Sequence, residues 1–173
     1  LVICTGKATK TIVELTGLDK EYTGSFLLGA TTPSSDLETE VDQRFETAHI
    51  REEDILEAAK HFSGELMQVP PAYSAIKVDG KRSYRHAREN KPIELPPRKV
   101  HIYEFEILST ALPEIPFRVS CSKGTYVRSL ARDLGKYLNS GAYLKELRRT
   151  KVGDFSIEDA ISIADLEKRI SAG

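Results

Sequence analysis

The sequence predicts an α+β fold: a mixed, mostly antiparallel sheet with flanking helices. Three observations predict it. Phe117, Val119 and Cys121 alternate with Arg118 and Ser120, the two-residue period of a half-buried strand, and strand-like runs recur over 20–29 and 99–108. Two other stretches keep a helical period: Ile55, Leu56, Ala59 and Phe62 in one, and Val127, Leu130, Ala131, Leu134 and Leu138 in the other. Tight-turn signals separate them, Asp79-Gly80 for a two-residue hairpin and Gly124 for an abrupt strand-to-helix turn.

A chain of 173 residues is enough for one sizeable core. With 40% hydrophobic and 29% charged residues it reads as globular rather than disordered. No apolar run approaches the roughly 18 residues that a membrane span needs. Cys4 and Cys121 form no C-x-x-C pair and read as buried reduced thiols of a cytosolic protein. His49, His61, His86 and His101 show no metal-ligand spacing, so no metal is expected.

Net charge is −1, but the charges are segregated. From Glu14 to Lys60 there are 12 acids against Lys20, Arg44, Arg51 and Lys60. From Lys77 to Lys99 eight basic residues face three acids, and from Arg118 to Lys151 nine face two. A basic half on a neutral protein suits a polyanion-binding face, and a solvated charged surface accounts for it equally well.

Taken in order, Leu1-Val2-Ile3-Cys4 opens in the middle of an apolar run, which leads to the expectation of a piece of a longer polypeptide. Thr5 to Lys10 leads into a short helical pattern ending near Leu15; the G-x-x-x-x-G-K-[ST] spacing of a phosphate loop is absent. In the strand over 20–29, Tyr22, Gly24, Phe26 and Leu28 share one face. The helix over 51–62 has an acidic first turn, Glu52-Glu53-Asp54, which complements its dipole. Gly64 and Pro70-Pro71 end it, and the Asp79-Gly80 hairpin leads into a short basic helix over 83–90. Between 99 and 108 Val100 and Ile102 hold one phase while Phe105 and Ile107 hold the other, which predicts a bulge or a change of burial. After Gly124, Thr125 is the expected N-cap, and Tyr126 and Arg128 sit at the mouth of the turn, where a ring and a fixed cation would meet a ligand. Spacing alone is equally consistent with an ordinary junction carrying a surface arginine. Residues 161–170 read as a terminal helix.

Five separated motifs, in the family's order along the chain, resemble those of the TruB-like tRNA pseudouridine-55 synthases. Lys123-Gly124-Thr125-Tyr126-Val127-Arg128 is similar to the family's Lys-Gly-Thr-Tyr-(Ile/Val)-Arg. Lys20-Glu21-Tyr22 resembles its Lys-x-Tyr, and Thr31 to Asp36 resembles its Thr-(Asp)-Thr-x-x-Asp loop, with Pro33 where an acid is usual. The run from Pro70 to Tyr84 looks like Pro-Pro-x-Tyr-Ser-Ala-x-Lys-x-x-Gly-x-x-x-Tyr, and Leu147 to Phe155 looks like Leu-Arg-Arg-x-x-x-Gly-x-Phe. The family's nucleophilic aspartate lies in a Leu-Asp-Pro segment that occurs nowhere in these residues.

The resemblance implies one pseudouridine synthase-like catalytic domain over 1–173, incomplete at the N-terminus, with a basic thumb insertion at about 70–98. It implies a cytoplasmic, monomeric enzyme that isomerises a T-loop uridine of tRNA, without cofactor, metal or membrane. Tyr22 would stack on the target base and take part in catalysis; Arg128 would pair with the nucleophilic aspartate. Asp36, Tyr126 and Leu147 would complete the substrate pocket. Tyr73, Lys77, Lys81, Arg82, Tyr84, Arg85, Arg88, Lys123, Arg148 and Arg149 would contact the tRNA T-stem loop by stacking and by phosphate contacts. Without its nucleophile the chain alone is expected to be inactive. An RNA-binding scaffold or chaperone without chemistry, and a guide-RNA-dependent relative, are the alternatives.

Overall fold

The computed structural model describes residues 2–78, 80–89 and 95–171. Leu1, Asp79 of the expected hairpin turn, and Asn90 at the end of the expected basic helix lie outside these.

A 3-10 turn over Gly6–Thr11 runs into α1 (Ile12–Gly17), and β1 (Lys20–Leu28) follows. Two short strands, β2 (Ala30–Thr31) and β3 (Gln43–Arg44), bracket a loop before α2 (Glu52–His61) and β4 (Gly64–Gln68). The basic insertion holds β5 (Lys77–Val78), β6 (Lys81–Arg82) and α3 (Ser83–Arg88). Then come β7 (Arg98–Ile107), β8 (Glu114–Cys121), α4 (Val127–Tyr137), β9 (Ala142–Val152), β10 (Phe155–Ser156) and α5 (Ile163–Ser171). Among the described residues no helix is long and apolar enough to cross a membrane.

Six strands form one antiparallel sheet in the order β10-β9-β1-β8-β7-β4. One face is apolar. Phe26 and Phe117 stack at 4.1 Å on adjacent strands, Phe105 meets both edge-on, and Ile55, Ala58 and Ala59 of α2 and Leu130, Ala131 and Leu134 of α4 cover them. The other face is charged: Arg118 lies 2.9 Å from both Glu104 and Glu106 and 3.4 Å from Glu21. Alternation along β8, with Ile115, Phe117, Val119 and Cys121 all buried, generates this two-sidedness.

The phase switch in β7 is a bulge: the pairing with β8 shifts between Ile102 and Glu104, so Tyr103 is the extra residue. Gly24 is demanded by close packing. A Cβ there would stand 2.1 Å from the Glu146 carbonyl oxygen and 3.1 Å from the Phe117 ring. Two expectations fail. Leu56 is 41% exposed, and the buried helix face is Ile55, Ala58 and Ala59, since the 3.6-residue period selects positions three and four apart whatever their size. Gly64 does not simply end a helix; with φ +88 it turns the chain into β4, a strand whose burial alternates but whose polarity does not, because apolar Met67 faces outward and polar Gln68 inward.

Candidate active site

The loop after β2 is folded on itself by short polar side chains. Thr32 Oγ1 donates to the Asp36 carbonyl at 2.7 Å, and fully buried Ser34 donates its backbone N–H to Thr39 Oγ1 at 3.0 Å while the Ser34 and Thr39 hydroxyls share a hydrogen bond of 2.8 Å. Leu144 N–H of β9 donates to the Ser35 carbonyl at 3.0 Å, which pins the loop to the sheet. Asp36 is thereby fixed, its Oδ1 accepting from Glu38 N–H at 2.9 Å and its Oδ2 facing α4.

From α4 comes Arg128. The turn before it needs the positive φ (+82) of Gly124, and Val127 and Leu130 bury the helix face on either side of Arg128. Its Nη1 donates to Asp36 Oδ2 at 3.0 Å and to the Ser34 carbonyl at 3.4 Å; its Nη2 donates to the Tyr73 carbonyl at 2.7 Å. The fork therefore joins the Asp36 loop to the root of the basic insertion. A planar guanidinium with fixed donors does this where an ammonium would not. Arg128 and Asp36 line an open cleft of about 510 Å³ with Leu37, Glu38 and the β9 run from Leu144 to Leu147.

Tyr22 reaches the same region across the sheet. It is paired with Arg149, and Gly24 is paired with Leu147, so all three side chains project to the helix-covered face and Leu147 lies diagonally beside Tyr22. Leu147 thus belongs both to the Arg128 cleft and to the neighbourhood of Tyr22. Burial, and next the adjacent Cys121, push the Tyr22 phenol above its ordinary range, while Arg149 pulls it back. A neutral phenol presents a ring face and a hydroxyl, and makes a poor base at neutral pH.

Tyr126 precedes α4, half-buried. Thr125 does not cap the helix: its Oγ1 donates back to the Ser122 carbonyl at 2.9 Å. The side chain of Gln68, from β4, takes the Tyr126 backbone instead, accepting from its N–H at 2.8 Å and donating to its carbonyl at 3.1 Å. Local reading could not find Gln68; its one signal is a polar residue just before Val69-Pro70-Pro71.

Among the expected RNA-contact residues, Lys77 and Arg82 face each other across β5 and β6, next to exposed Lys81. Arg85 hydrogen-bonds the Tyr84 phenol and lowers its pKa, and the Arg88 guanidinium sits 5.5 Å over the Tyr84 ring while pairing with Glu38 at 2.7 Å. The basic insertion is therefore tied to the Asp36 loop twice, through Arg128–Tyr73 and through Arg88–Glu38. Lys123 is exposed in the turn before α4. Arg148 is paired with Thr23, so alternation sends it to the sheet face opposite Arg149.

Residues 1–127 match the model of the TruB family pseudouridylate synthase N-terminal domain, and residues 128–172 match that of the tRNA pseudouridylate synthase B C-terminal domain. The boundary falls in the first turn of α4, and β9 of the second segment pairs with β1 of the first. The chain is 59% identical over 170 residues to a tRNA pseudouridine synthase B of Flavobacterium johnsoniae, covering 98% of this chain and 74% of that one. It is 53% identical over 163 residues to the protein of that name from Phocaeicola vulgatus, covering 94% and 69%. A solved Cbf5-Nop10-Gar1 complex contains a chain that superposes with a TM-score of 0.70 at 29% identity, over 95% of this chain and 40% of that one.

Proposed function

The chain belongs to the TruB family of pseudouridylate synthases, and on that premise we propose that it forms the substrate-binding part of a tRNA pseudouridine synthase, one catalytic unit acting in the cytoplasm as a monomer on a T-loop uridine at position 55. The observation that carries this reading is the Arg128 fork between Asp36 and the Tyr73 carbonyl, at a cleft whose wall includes Leu147, the diagonal cross-strand neighbour of Tyr22.

The reaction breaks the N1–C1′ bond of uridine, turns the uracil and joins C5 to C1′; C5 loses its hydrogen and N1 gains one. No electrons are exchanged with a partner. The uridine first leaves its stack, at a cost of a few kcal/mol that a protein ring offsets. Tyr22 supplies that ring, and Leu147 and Tyr126 exclude water from C1′. Arg128 pairs with the attacking carboxylate of the family's Leu-Asp-Pro segment, and a cation within reach favours the ionised, nucleophilic form. Asp36 is held by Arg128 and by Glu38 N–H, and so orients the arginine rather than attacking. The attacking carboxylate is that of the family's Leu-Asp-Pro segment, which is absent from the 173 residues; these residues alone bind tRNA without turning it over.

The test uses the complete gene product and a T-stem-loop minihelix with a single uridine, at position 55. Conversion without any guide RNA, lost when the uridine is moved, supports the proposal. Conversion that needs an added guide RNA favours the guide-dependent alternative, and tight binding without conversion favours a scaffold.

A further inference from the structure

Gln68 is a buried side chain, 4% exposed, that the chemistry above does not use. Its amide makes two hydrogen bonds with one residue, Tyr126: Oε1 accepts from the backbone N–H at 2.8 Å and Nε2 donates to the carbonyl at 3.1 Å. This mimics a strand pairing at the place where the sheet has ended and α4 has not begun. The next residue continues the clamp. The Val69 carbonyl accepts from Ser129 Oγ at 2.8 Å and from Arg132 Nη2 at 2.9 Å. The chain then runs through Pro70-Pro71 to Tyr73, whose carbonyl accepts from Arg128 at 2.7 Å. Residues 68–73 thus grip the first two turns of α4 at Tyr126, Arg128, Ser129 and Arg132.

We propose that Gln68 is a positioning residue for the isomerisation: by holding both backbone groups of Tyr126, it sets the start of α4 and so the placement of the Arg128 fork. The inference rests on the synthase reading of the Arg128 cleft. Tyr126 N–H is one of the helix-start donors that need a partner, and no local cap supplies it. A buried amide that loses either bond leaves an unpaired polar group at the root of the catalytic arginine, and the helix start relaxes toward water. The effect falls on reacting geometry rather than on RNA affinity, because Gln68 is covered and the cations that would meet phosphate lie elsewhere.

The experiment compares the complete gene product with its Gln68→Glu and Gln68→Leu variants, measuring single-turnover conversion of unmodified tRNA, tRNA affinity and melting temperature. Gln68→Glu keeps the acceptor for Tyr126 N–H and loses the donor when ionised; Gln68→Leu loses both. The expected result is a rate lower by about tenfold or more in both variants with affinity held within about twofold. The Gln68→Glu rate should also recover toward wild type as pH falls and its carboxyl regains a donating proton, a recovery that Gln68→Leu lacks. Unchanged rates overturn the inference. So does a parallel loss of rate, affinity and melting temperature without pH recovery, which would make Gln68 a fold residue only. An inactive wild type overturns the synthase reading itself, and this inference with it.

Discussion

Arg128 and Asp36 stand 92 positions apart in the chain, yet the guanidinium meets the carboxylate at 3.0 Å, each about one-fifth to one-quarter exposed. The pair closes a contact between the start of α4 and the loop after β2, and the second arm of the arginine adds the root of the basic insertion. In the complete enzyme Arg128→Lys replaces a fork by a point charge. Hydrogen bonds to charged groups contribute about 1.5–3 kcal/mol, so single-turnover rate should fall about 10–100-fold. Asp36→Asn keeps the shape and loses the charge, and should cost less. Quenched-flow assays with parallel filter binding check this; tRNA affinity should change only a few-fold.

Tyr22→Phe keeps the ring and removes the hydroxyl. Stacking should survive, so affinity should hold while any step using the hydroxyl slows. Because burial raises the Tyr22 phenol, its ionisation should appear in ultraviolet difference titration above the ordinary tyrosine range and vanish in Tyr22→Phe.

Cys121 gives the clearest dependence on pH. Burial pushes its thiol from 9.0 up to about 11. The fold favours the protonated thiol, so its contribution is whole below pH 9 and is lost as pH rises toward 11. The shift corresponds to about 2–3 kcal/mol. Urea unfolding at stepped pH should show that loss in the wild type and a flatter curve in Cys121→Ala. The native Cys121 thiol, 1% exposed, should also resist thiol reagents at pH 8 longer than partly exposed Cys4.

Gly24→Ala places a methyl 2.1 Å from the Glu146 carbonyl oxygen. Backbone must move, and the strand that moves carries Leu147. Overpacking of this kind costs about 1–3 kcal/mol or more. Loss of stability should be accompanied by loss of turnover beyond what unfolding explains, read by chemical denaturation and by rate per folded molecule.

Lys81→Ala and Arg82→Ala should each weaken tRNA binding evenly across sequences and reduce the slope of log affinity against log salt by about one. Glu38→Gln frees Arg88 from its 2.7 Å partner, and because the pair is exposed and screened by water it should leave stability nearly unchanged.

The sheet and its main helices were legible because their signals are local. Phe117 to Cys121 alternates, the α4 face recurs at helical spacing, and the phase change between Ile102 and Phe105 marked the bulge at Tyr103. What stayed hidden is non-local. β4 alternates in burial but not in polarity, since its buried residue is the polar Gln68 and apolar Met67 faces outward. The start of α4 looked capped by Thr125, the nearest hydroxyl, whereas the partner arrives from 58 residues away. In α2, Ala58 buries completely yet carries a weaker apolar signal than exposed Leu56. Motifs brought Tyr22, Asp36, Arg128 and Leu147 to notice one by one. Only the register, with Gly24 opposite Leu147, explains how Tyr22 adjoins the cleft, and why Arg148 and Arg149 part to opposite faces.

The most direct measurement is tritium release from unmodified tRNA labelled at uracil C5, comparing these 173 residues with a version to which a Leu-Asp-Pro segment of the family has been joined at the N-terminus. Release from the extended version alone, with both binding tRNA, is the predicted result. Release at an equal rate from the 173-residue chain would contradict the account by placing a nucleophile within it, and release from neither would remove the catalytic roles given to Tyr22 and Arg128.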